Sequence, residues 1–485
     1  MITNTRRRIR ALVPVALCLA TLSTCARNPV TGRTQLALIS ESQEIAMGRE
    51  SAEQIGQALG LVDDPQLQEY VQRVGAALAA DSERPNLPWT FRVVDDPTPN
   101  AFALPGGYIF LTRGLMNLME NEAEMASVLG HEIGHVTARH SVTALSRAQL
   151  AQLGLGVGMI FVPELQQFGQ LAGTGMQLLF LKYGRDAEHQ ADELGFRYAL
   201  EEGYDVRQMA DVFASLQRVG EQSGQSPLPS WLSSHPYPAE RIQRVEQRVA
   251  ALPTPPDTGG VRGAEYLAQI EGMVYGENPR NGIFRGSTFL HPDLQFRMEF
   301  PQGWQLQNMP QAVIAASPRQ DAAMQLTLAG QADPVTAARQ FFGQQGIQAG
   351  PTSQQNINGL PGVVGSFQAQ TQQGVIRGLV VFVAHGGRTY QLIGYTPAQA
   401  YANYDRLLQQ SLGSFQPLTD PQILALQPNR LEIVRIDQPL TLAEFNQRYP
   451  SAVPIEELAL INQVPDASAR FPAGAQVKRV VAGSS

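Results

Sequence analysis

The chain has 485 residues and is too long for a single hydrophobic core. Since a typical domain has about 150 residues, this length predicts about three domains. Only 16% of the residues are charged, below the roughly 25% of an average protein. The formal net charge of −7 provides no basic surface, so the composition predicts that nucleic acid is not a partner.

The first 25 residues have the pattern of an export signal peptide. Four arginines between positions 6 and 10 precede an apolar segment, Ala11–Leu22, that is shorter than the ~20 residues needed to span a membrane. The sequence up to Cys25 resembles a bacterial lipoprotein processing site, at which Cys25 carries the lipid. Thr24 replaces the usual Gly, Ala or Ser, so export without a lipid and a retained anchor remain alternatives. Both cysteines lie in this segment, which excludes thiolate ligands elsewhere.

A helix-rich region follows over residues 26–252. The segment Pro253–Gly260 cannot continue a helix, and we interpret residues 253–284 as a linker. Within the helix-rich region, the apolar stretch Leu150–Leu181 is interrupted by Pro163 and Glu164. This interruption favours a core helical hairpin or a flap beside the active site over a segment that dips into a membrane.

Two smaller regions complete the chain. Residues 285–420 predict an α+β module, because apolar and polar residues alternate from Leu294 to Phe300 and Asp333-Pro334 has the pattern of a helix start. Two strand-like segments flank Gly386-Gly387 and predict a hairpin. Residues 424–485 predict a strand–helix–helix–strand unit that contains a capping box, Thr441 with Glu444.

The sequence His131-Glu132-Ile133-Gly134-His135 predicts a metal site. On a helix, residues four apart share a face, so both imidazoles can bind one metal ion. Glu132 lies beside them, where it can take a proton from a water on the metal. This His-Glu-x-x-His spacing is the pattern of zinc hydrolases, in which the carboxylate is the general base. Asn121 is expected to cap this helix.

A catalytic zinc site needs a third protein ligand, and two candidates compete. The metzincin pattern requires Gly at position 138 and His at 141, but Ala138 and Ser141 stand there. His140 is therefore expected to support the site rather than bind the metal. Glu188 is the better candidate, with Asp192 one helical turn beyond it to hydrogen-bond a ligating imidazole. Alone, this second segment also fits a solvated charged helix face.

The combination resembles the HtpX-like and BepA-like zinc metalloproteases, which are gluzincins. In that family the ligating Glu stands four residues before an Asp, as Glu188 does before Asp192. The resemblance covers about residues 25–250. Three further segments match, namely Asn28–Gly32 after the cysteine, Asn100–Gly107 ahead of the motif helix, and Ser234-His235-Pro236 with Arg241 near the end of the region.

This resemblance implies one zinc ion per chain, bound by His131, His135 and Glu188, with Asp192 as a supporting residue and Glu132 as the general base. It also implies a strand ahead of the motif helix, which we interpret as an exposed edge to which an extended peptide substrate adds by backbone hydrogen bonds. Without the resemblance, this segment fits an ordinary core hairpin equally well. The residues of this substrate-binding strand are Asn100, Ala101, Phe102, Ala103 and Leu104.

His235 and Arg241 have open roles. His235 either steadies the oxyanion of the tetrahedral intermediate or occupies the fourth zinc position and holds the enzyme latent. A His before a Pro is also a common turn residue, so a purely structural role is a third reading. Arg241 is expected to pair with the developing charge or with the neighbours of Glu188.

The C-terminal unit resembles a LysM module, which binds glycan chains of the cell wall. Thr441-Leu442, Ile461-Asn462 and Pro472–Gly474 match, but Pro439-Leu440 replaces the usual Gly-Asp. The predicted fold class is therefore multidomain. A mainly α-helical zincin-type protease domain with a small sheet precedes the α+β module, and the LysM-like unit follows.

The predicted function is zinc-dependent cleavage of misfolded or misassembled envelope proteins. The expected location is the periplasm, with a lipid on Cys25 as an anchor to the outer membrane. One alternative is a non-proteolytic assembly factor or wall-binding scaffold with a latent or structural metal site. A second is hydrolysis of peptidoglycan cross-links, which only the C-terminal unit suggests.

Overall fold

The computed structural model describes residues 25–152, 178, 181–222, 231–236, 238–309, 312–371 and 374–483. These residues form two compact units. The first contains residues up to 56, 60–273 and 431–480, and the second contains residues 57–59, 274–430 and 481–485. The predicted signal segment before Cys25 and nearly all of the stretch 150–181 lie outside the described residues.

The first unit is mainly helical up to residue 273. Its strands in this part are β1 (Cys25–Arg27), β2 (Thr34–Leu36), β3 (Thr90–Val94), β4 (Ala101–Leu104) and β5 (Tyr108–Thr112). Its helices are α1 (Glu41–Leu59), α2 (Pro65–Ala80), α3 (Arg113–Leu118), α4 (Glu122–Thr137), α5 (His140–Gln152), α6 (Arg185–Glu201), α7 (Gln208–Gln222), α8 (Trp231–Ser234), α9 (Pro238–Ala250) and α10 (Gly263–Ile270).

Helix α4 carries the metal-site motif, and every one of its residues is buried. As predicted, Asn121 caps its start, and the side-chain Oδ1 accepts a hydrogen bond from Glu124 N at 2.9 Å. At the other end, Asn28 Nδ2 donates to the carbonyl oxygen of Ala138 at 3.0 Å. Side chains therefore form hydrogen bonds with backbone groups at both ends of the helix. These groups have no partner within the helix and, because the helix is buried, cannot form hydrogen bonds with water.

Glycines allow α4 and α6 to pack very closely. A Cβ atom added to Gly195 would lie 2.6 Å from His131 N, and one added to Gly134 would lie 3.0 Å from Ala191 Cα. Any larger side chain at either position would push the helices apart. This close crossing brings Glu188 and Asp192 of α6 against the histidines of α4.

A three-stranded sheet packs beside α4 in the order β3-β5-β4, with β3 parallel and β4 antiparallel to β5. Among the described strands, β4 is thus at an edge of this sheet. Its side chains are not exposed, however, and Ala101 and Leu104 are fully buried. Because no part of Ala101 or Leu104 is accessible, the exposed edge expected from the sequence is not found, and the strand is covered as in a core hairpin.

The second unit is built on a seven-stranded antiparallel sheet and a four-stranded sheet. The larger sheet has the order β12-β13-β14-β15-β11-β10-β9, and the smaller has the order β16-β8-β7-β6. The strands are β6 (Ile283–Arg285), β7 (Thr288–His291), β8 (Phe296–Glu299), β9 (Gln305–Met309), β10 (Ala312–Ala316), β11 (Ala323–Leu328), β12 (Ile347–Ile357), β13 (Leu360–Thr371), β14 (Gly374–His385), β15 (Arg388–Pro397) and β16 (Gln416–Pro417).

Three helices accompany these sheets, α11 (Pro334–Phe342), α12 (Tyr401–Leu412) and α13 (Pro421–Leu424). The predicted α+β character and the predicted helix start at Asp333 are confirmed, since Asp333 caps α11. The predicted hairpin is confirmed as well. Gly386 and Gly387 join β14 to β15 with φ angles of 56° and 73°, which favour glycine in a two-residue turn.

The C-terminal residues contain the predicted strand, two helices and strand, with one additional two-residue strand on either side of the helix pair. They group with the first unit rather than apart from it. The capping box of Thr441 and Glu444 is confirmed. The elements are β17 (Arg430–Arg435), β18 (Leu440–Thr441), α14 (Leu442–Arg448), α15 (Ile455–Ile461), β19 (Arg470–Phe471) and β20 (Gln476–Val481).

A buried lysine attaches this C-terminal segment to the region before α4. Lys478 is fully buried, and its Nζ donates to the carbonyl oxygens of Asn117, Leu118 and Met119 at 3.0, 3.3 and 2.9 Å. Nζ also lies 3.0 Å from Glu120 Oε1. The ammonium group thus donates to carbonyl groups at the C-terminal end of α3, where a positive charge is favourable.

The segment 253–284 is not a linker throughout. Helix α10 lies within it, and its Tyr266, Leu267 and Ile270 are buried. Tyr266 Oη donates to the carbonyl oxygen of Met116 at 2.6 Å. The Pro- and Gly-rich stretch before α10 did predict a break, but the apolar residues after it supply enough buried surface for a packed helix. Among the helices described, none is long and apolar enough to cross a membrane.

Replacing Lys478 by Met removes the ammonium group while keeping the length of the side chain. We expect the free energy of unfolding of the first unit to fall by about 3 kcal/mol, because three carbonyl groups and Glu120 lose a buried partner. Chemical denaturation monitored by circular dichroism measures this change. The control is Arg479→Met, which removes a partly exposed ion pair with Glu432 and is expected to cost under about 1 kcal/mol. Equal losses in the two variants would contradict the structural role of Lys478.

Candidate metal centre

The two histidines of the motif converge on one point. His131 and His135 lie one turn apart on α4, both are fully buried, and their Nε2 atoms are 3.0 Å apart. His131 Nδ1 is 2.9 Å from Asp192 Oδ1. Because a carboxylate only accepts hydrogen bonds, the proton in this contact is on His131 Nδ1. Its Nε2 therefore presents a lone pair to the interior of the site.

Arg241 holds Asp192 in place. Its Nε and Nη2 atoms donate to the two oxygens of Asp192 at 2.8 and 2.6 Å. Nη2 also lies 3.2 Å from His131 Nδ1, but this nitrogen carries a proton and cannot accept a hydrogen bond. Burial raises the pKa of Asp192, but Arg241 and the hydrogen bond from His131 outweigh it and lower that pKa well below its ordinary value. Asp192 is therefore ionised.

The guanidinium group of Arg241 packs against two aromatic rings that also stack on each other. Its central carbon lies 4.1 Å from the ring centre of Phe213 and 4.4 Å from that of Trp231. Arg241 is fully buried, and its Nη1 is 3.3 Å from Glu188 Oε2. Aromatic faces stabilise a desolvated cation, so Arg241 can remain charged without water and compensate two carboxylates at once.

Glu188 and His235 complete a cluster of four possible ligands. Glu188 oxygens lie 3.6 Å from His131 Nε2 and 3.5 Å from His135 Nε2. His235 Nδ1 lies 3.2 Å from each Glu188 oxygen and 3.2 Å from His131 Nε2. One ligand atom from each of the four residues lies within 4.8 Å of all the others, and all four residues are buried.

These spacings fit a tetrahedral zinc ion. Ligand atoms about 2.0 Å from zinc at tetrahedral angles lie about 3.3 Å from each other, close to the 3.0 to 3.6 Å found between the contacting ligand atoms. Lone pairs and carboxylate oxygens that face each other at this distance repel unless a cation lies between them. Three nitrogens and one carboxylate are also a donor set that zinc prefers. The residues present therefore fit the metal.

Glu132 is the buried carboxylate beside this cluster. Neither of its oxygens accepts a hydrogen bond from a described residue, and His235 Nε2 lies 3.4 Å from Oε1. Burial raises the pKa of Glu132 above its ordinary value of 4.5. A carboxylate with free lone pairs and a raised pKa is suited to accept a proton from a nearby water and return it.

The structure brings together most of the residues singled out in the sequence. His131, Glu132, His135, Glu188 and His235 share one buried site, with Asp192 and Arg241 directly behind it. Phe102 and its neighbours on β4 lie in the sheet beside α4 and are not among the grouped ligands.

Some residues of the site gave no signal in the sequence. Tyr183 stacks on His135 with ring centres 4.0 Å apart, and its hydroxyl group is 2.8 Å from Ser141 Oγ. Trp231 stacks on His235 at 5.0 Å. Neither aromatic residue belongs to a spacing pattern that could single it out. Only their nearness to the two recognised motif segments could have suggested them.

A helix with His-Glu-x-x-His, completed by a Glu from a later helix, defines the gluzincin class of metal-dependent hydrolases. Residues 65–249 match the sequence model of Peptidase family M48. This part of the chain is a peptidase family M48 domain, and the resemblance inferred from the motifs is confirmed for it. Peptidases of this family use zinc, in agreement with the buried His-His-Glu-His group.

Several named proteins are similar to about half of this chain. The beta-barrel assembly-enhancing protease of Yersinia pestis is 32% identical over 229 residues, which are 45% of this chain and 46% of that protein. The putative beta-barrel assembly-enhancing protease of Vibrio cholerae is 28% identical over 49% of this chain and 52% of its own length. The mitochondrial metalloendopeptidase OMA1 of Danio rerio is 29% identical over 46% and 50%. The chain thus spans about half the length of these relatives.

Replacing Glu188 by Gln removes the only carboxylate of the four grouped ligands. We expect the dissociation constant for zinc to rise more than about 100-fold, because a neutral amide is a much weaker zinc ligand. Competition with a chromophoric chelator measures this constant. The matched control is Glu193→Gln on the same helix, where the exposed carboxylate pairs with Arg248 outside the cluster. Equal zinc affinities in the wild type and the Glu188 variant would exclude Glu188 as a ligand.

Proposed function

We propose that this protein is a zinc-dependent metalloendopeptidase of the bacterial cell envelope that cleaves misfolded or misassembled proteins. The observation that carries the proposal is the convergence of four buried ligand atoms within 4.8 Å, with the carboxylate of Glu132 beside them. The similarity to the beta-barrel assembly-enhancing proteases supports both the peptidase activity and the envelope location.

The proposed roles of the individual residues follow from the positions of their side chains. Zinc, when bound, lowers the pKa of a water and polarises the scissile carbonyl. Glu132 takes the proton of that water and delivers it to the leaving amine. Arg241 keeps Asp192 ionised and oriented, and Asp192 keeps the proton of His131 on Nδ1, so that Nε2 stays free to bind the metal.

His235 was left with three possible roles, and its geometry favours one of them. Its Nδ1 belongs to the ligand cluster, while its Nε2 faces Glu132 at 3.4 Å. We propose that His235 occupies the fourth zinc position in the resting enzyme. Peptide hydrolysis then requires His235 to give up this position to water or substrate, because a catalytic zinc site needs an open position.

The proposed substrate is an extended polypeptide. β4 lies at an edge of the three-stranded sheet and packs beside α4, so a substrate strand that pairs with its backbone next to the metal site must first displace the residues that bury it. Backbone pairing tolerates many side chains but needs an unfolded segment. This requirement agrees with misfolded proteins as the substrates.

Replacing Glu132 by Gln tests the proposed chemistry. We expect zinc to stay bound, because all four ligands remain, and cleavage of casein to fall about 10²- to 10⁴-fold, because the general base is lost. Metal content and casein cleavage are measured on the same preparation, with Glu193→Gln as the control that keeps both. Unchanged cleavage by the Glu132 variant would refute its role as the base.

Two rival functions are separated by the choice of substrate. Purified protein is incubated with casein and with peptidoglycan, each with and without a metal chelator. Chelator-sensitive loss of casein alone supports the proposed endopeptidase. Chelator-sensitive digestion of peptidoglycan selects the cross-link hydrolase. If neither substrate is cleaved, a non-proteolytic assembly factor is favoured. Co-sedimentation with insoluble peptidoglycan tests glycan binding by the LysM-like unit, which its strand–helix–helix–strand order supports.

The proposal includes a lipid on Cys25 that anchors the enzyme to the outer membrane. Asn28, three residues further on, is hydrogen-bonded to the C-terminal end of α4. Three extended residues span about 10 Å, so such a lipid would hold the metal site close to the membrane surface. We expect labelling of the protein with a radioactive fatty acid in bacterial cells, and loss of the label in Cys25→Ser. An unlabelled wild-type protein would contradict the anchor.

A further inference from the structure

A chain of hydrogen bonds runs outward from the second histidine of the motif. His135 Nδ1 lies 2.9 Å from His140 Nδ1, and His140 Nε2 lies 3.0 Å from Gln190 Oε1. Two ring nitrogens 2.9 Å apart form a hydrogen bond only if one of them carries the proton and the other presents a lone pair. Each neutral ring has one N–H group and one lone pair.

Two arrangements of the protons satisfy this chain. If Gln190 accepts a hydrogen bond through its oxygen, His140 carries its proton on Nε2 and has a lone pair on Nδ1. His140 Nδ1 then accepts a hydrogen bond from His135 Nδ1, and the lone pair on His135 Nε2 is free to bind the metal. If Gln190 instead donates through its amide nitrogen, both rings reverse, and a proton on His135 Nε2 points into the ligand cluster. Only the first arrangement allows His135 to bind zinc.

We propose that His140 and Gln190 are positioning residues that hold His135 in its metal-binding tautomer and thereby set the affinity of the site for zinc. This inference rests on the proposed zinc site and adds two residues to it. The other histidine of the motif, His131, has a charged partner in Asp192, which can only accept. The partners of His135 are neutral groups that can either donate or accept a hydrogen bond. The tautomer of His135 is therefore fixed only by the arrangement of these partners.

The backbone at the start of α5 supports this assignment. Arg139, just before His140, is in the left-handed region with φ of 59°, an unfavourable conformation for a residue with a side chain. Its Nε donates to Glu44 Oε2 at 3.0 Å and its Nη2 donates to the carbonyl oxygen of Ile39 at 2.9 Å. These buried contacts hold the tight turn that returns His140 to His135.

The ring of His135 is also held on its face. Tyr183 stacks on it with an angle of 26° between the ring planes. The Tyr183 hydroxyl group is hydrogen-bonded to Ser141, the residue next to His140. Tyr183 therefore restricts rotation of the His135 ring, while His140 selects the proton position. The two contacts act on different degrees of freedom.

The test measures zinc affinity in full-length variants by competition with a chelator. We expect the dissociation constant to rise about 10-fold in Gln190→Leu and about 10- to 100-fold in His140→Leu, the range for residues that orient a metal ligand. Gln190→Glu keeps an oxygen acceptor and is expected to retain tight binding. The matched control is His189→Gln on the same helix, because His189 contacts Glu240 and lies outside the hydrogen-bond chain.

Nuclear magnetic resonance of the wild-type protein, labelled with ¹⁵N in its seven histidines, gives an independent readout that needs no variant to fold. In the zinc-bound form we expect the proton of His135 on Nδ1 and that of His140 on Nε2. A His140 proton on Nδ1, or unchanged zinc affinity in folded Gln190→Leu, would overturn the inference. Failure of the wild type to bind zinc at all would instead overturn the proposed function.

Discussion

The structure depends on one electrostatic constraint, which is that a carboxylate and several imidazole lone pairs face each other in a site closed to water. His131 Nε2 and His135 Nε2 are 3.0 Å apart, and Glu188 faces both. In a medium of low polarity such an arrangement is unfavourable without a cation. Binding of a doubly charged metal converts the repulsion into attraction, so the free energy of metal binding and that of folding are coupled here.

The buried carboxylates of the site are neutralised by a neighbouring cationic side chain rather than by contact with solvent. Arg241 packs against Phe213 and Trp231 and neutralises Asp192 directly while it contacts Glu188. Neutral partners are used on the other side, around His135. The site thus has a charged half and a neutral half. Buried charges of opposite sign need precise geometry to be stable, and the glycine contacts between α4 and α6 provide it.

The sequence predicted the core of the site because its spacing rules are local. Residues four apart on a helix share a face, which identified His131 with His135 and Glu188 with Asp192. The partners of His140 were not predictable, since they depend on a left-handed Arg139 and on a helix fifty residues away. The docking of the C-terminal segment was missed for a related reason. A single lysine in a strand gives no periodic signal, although it is one of only two in the chain.

The attachment of Lys478 also concerns the order of events during synthesis. This residue lies 361 positions after Asn117, whose carbonyl oxygen it binds. Contacts between such distant segments form late, because a long loop must close first. The support of α4 at its N-terminal end is therefore completed only after residue 478 has been synthesised, long after the residues of the motif helix itself.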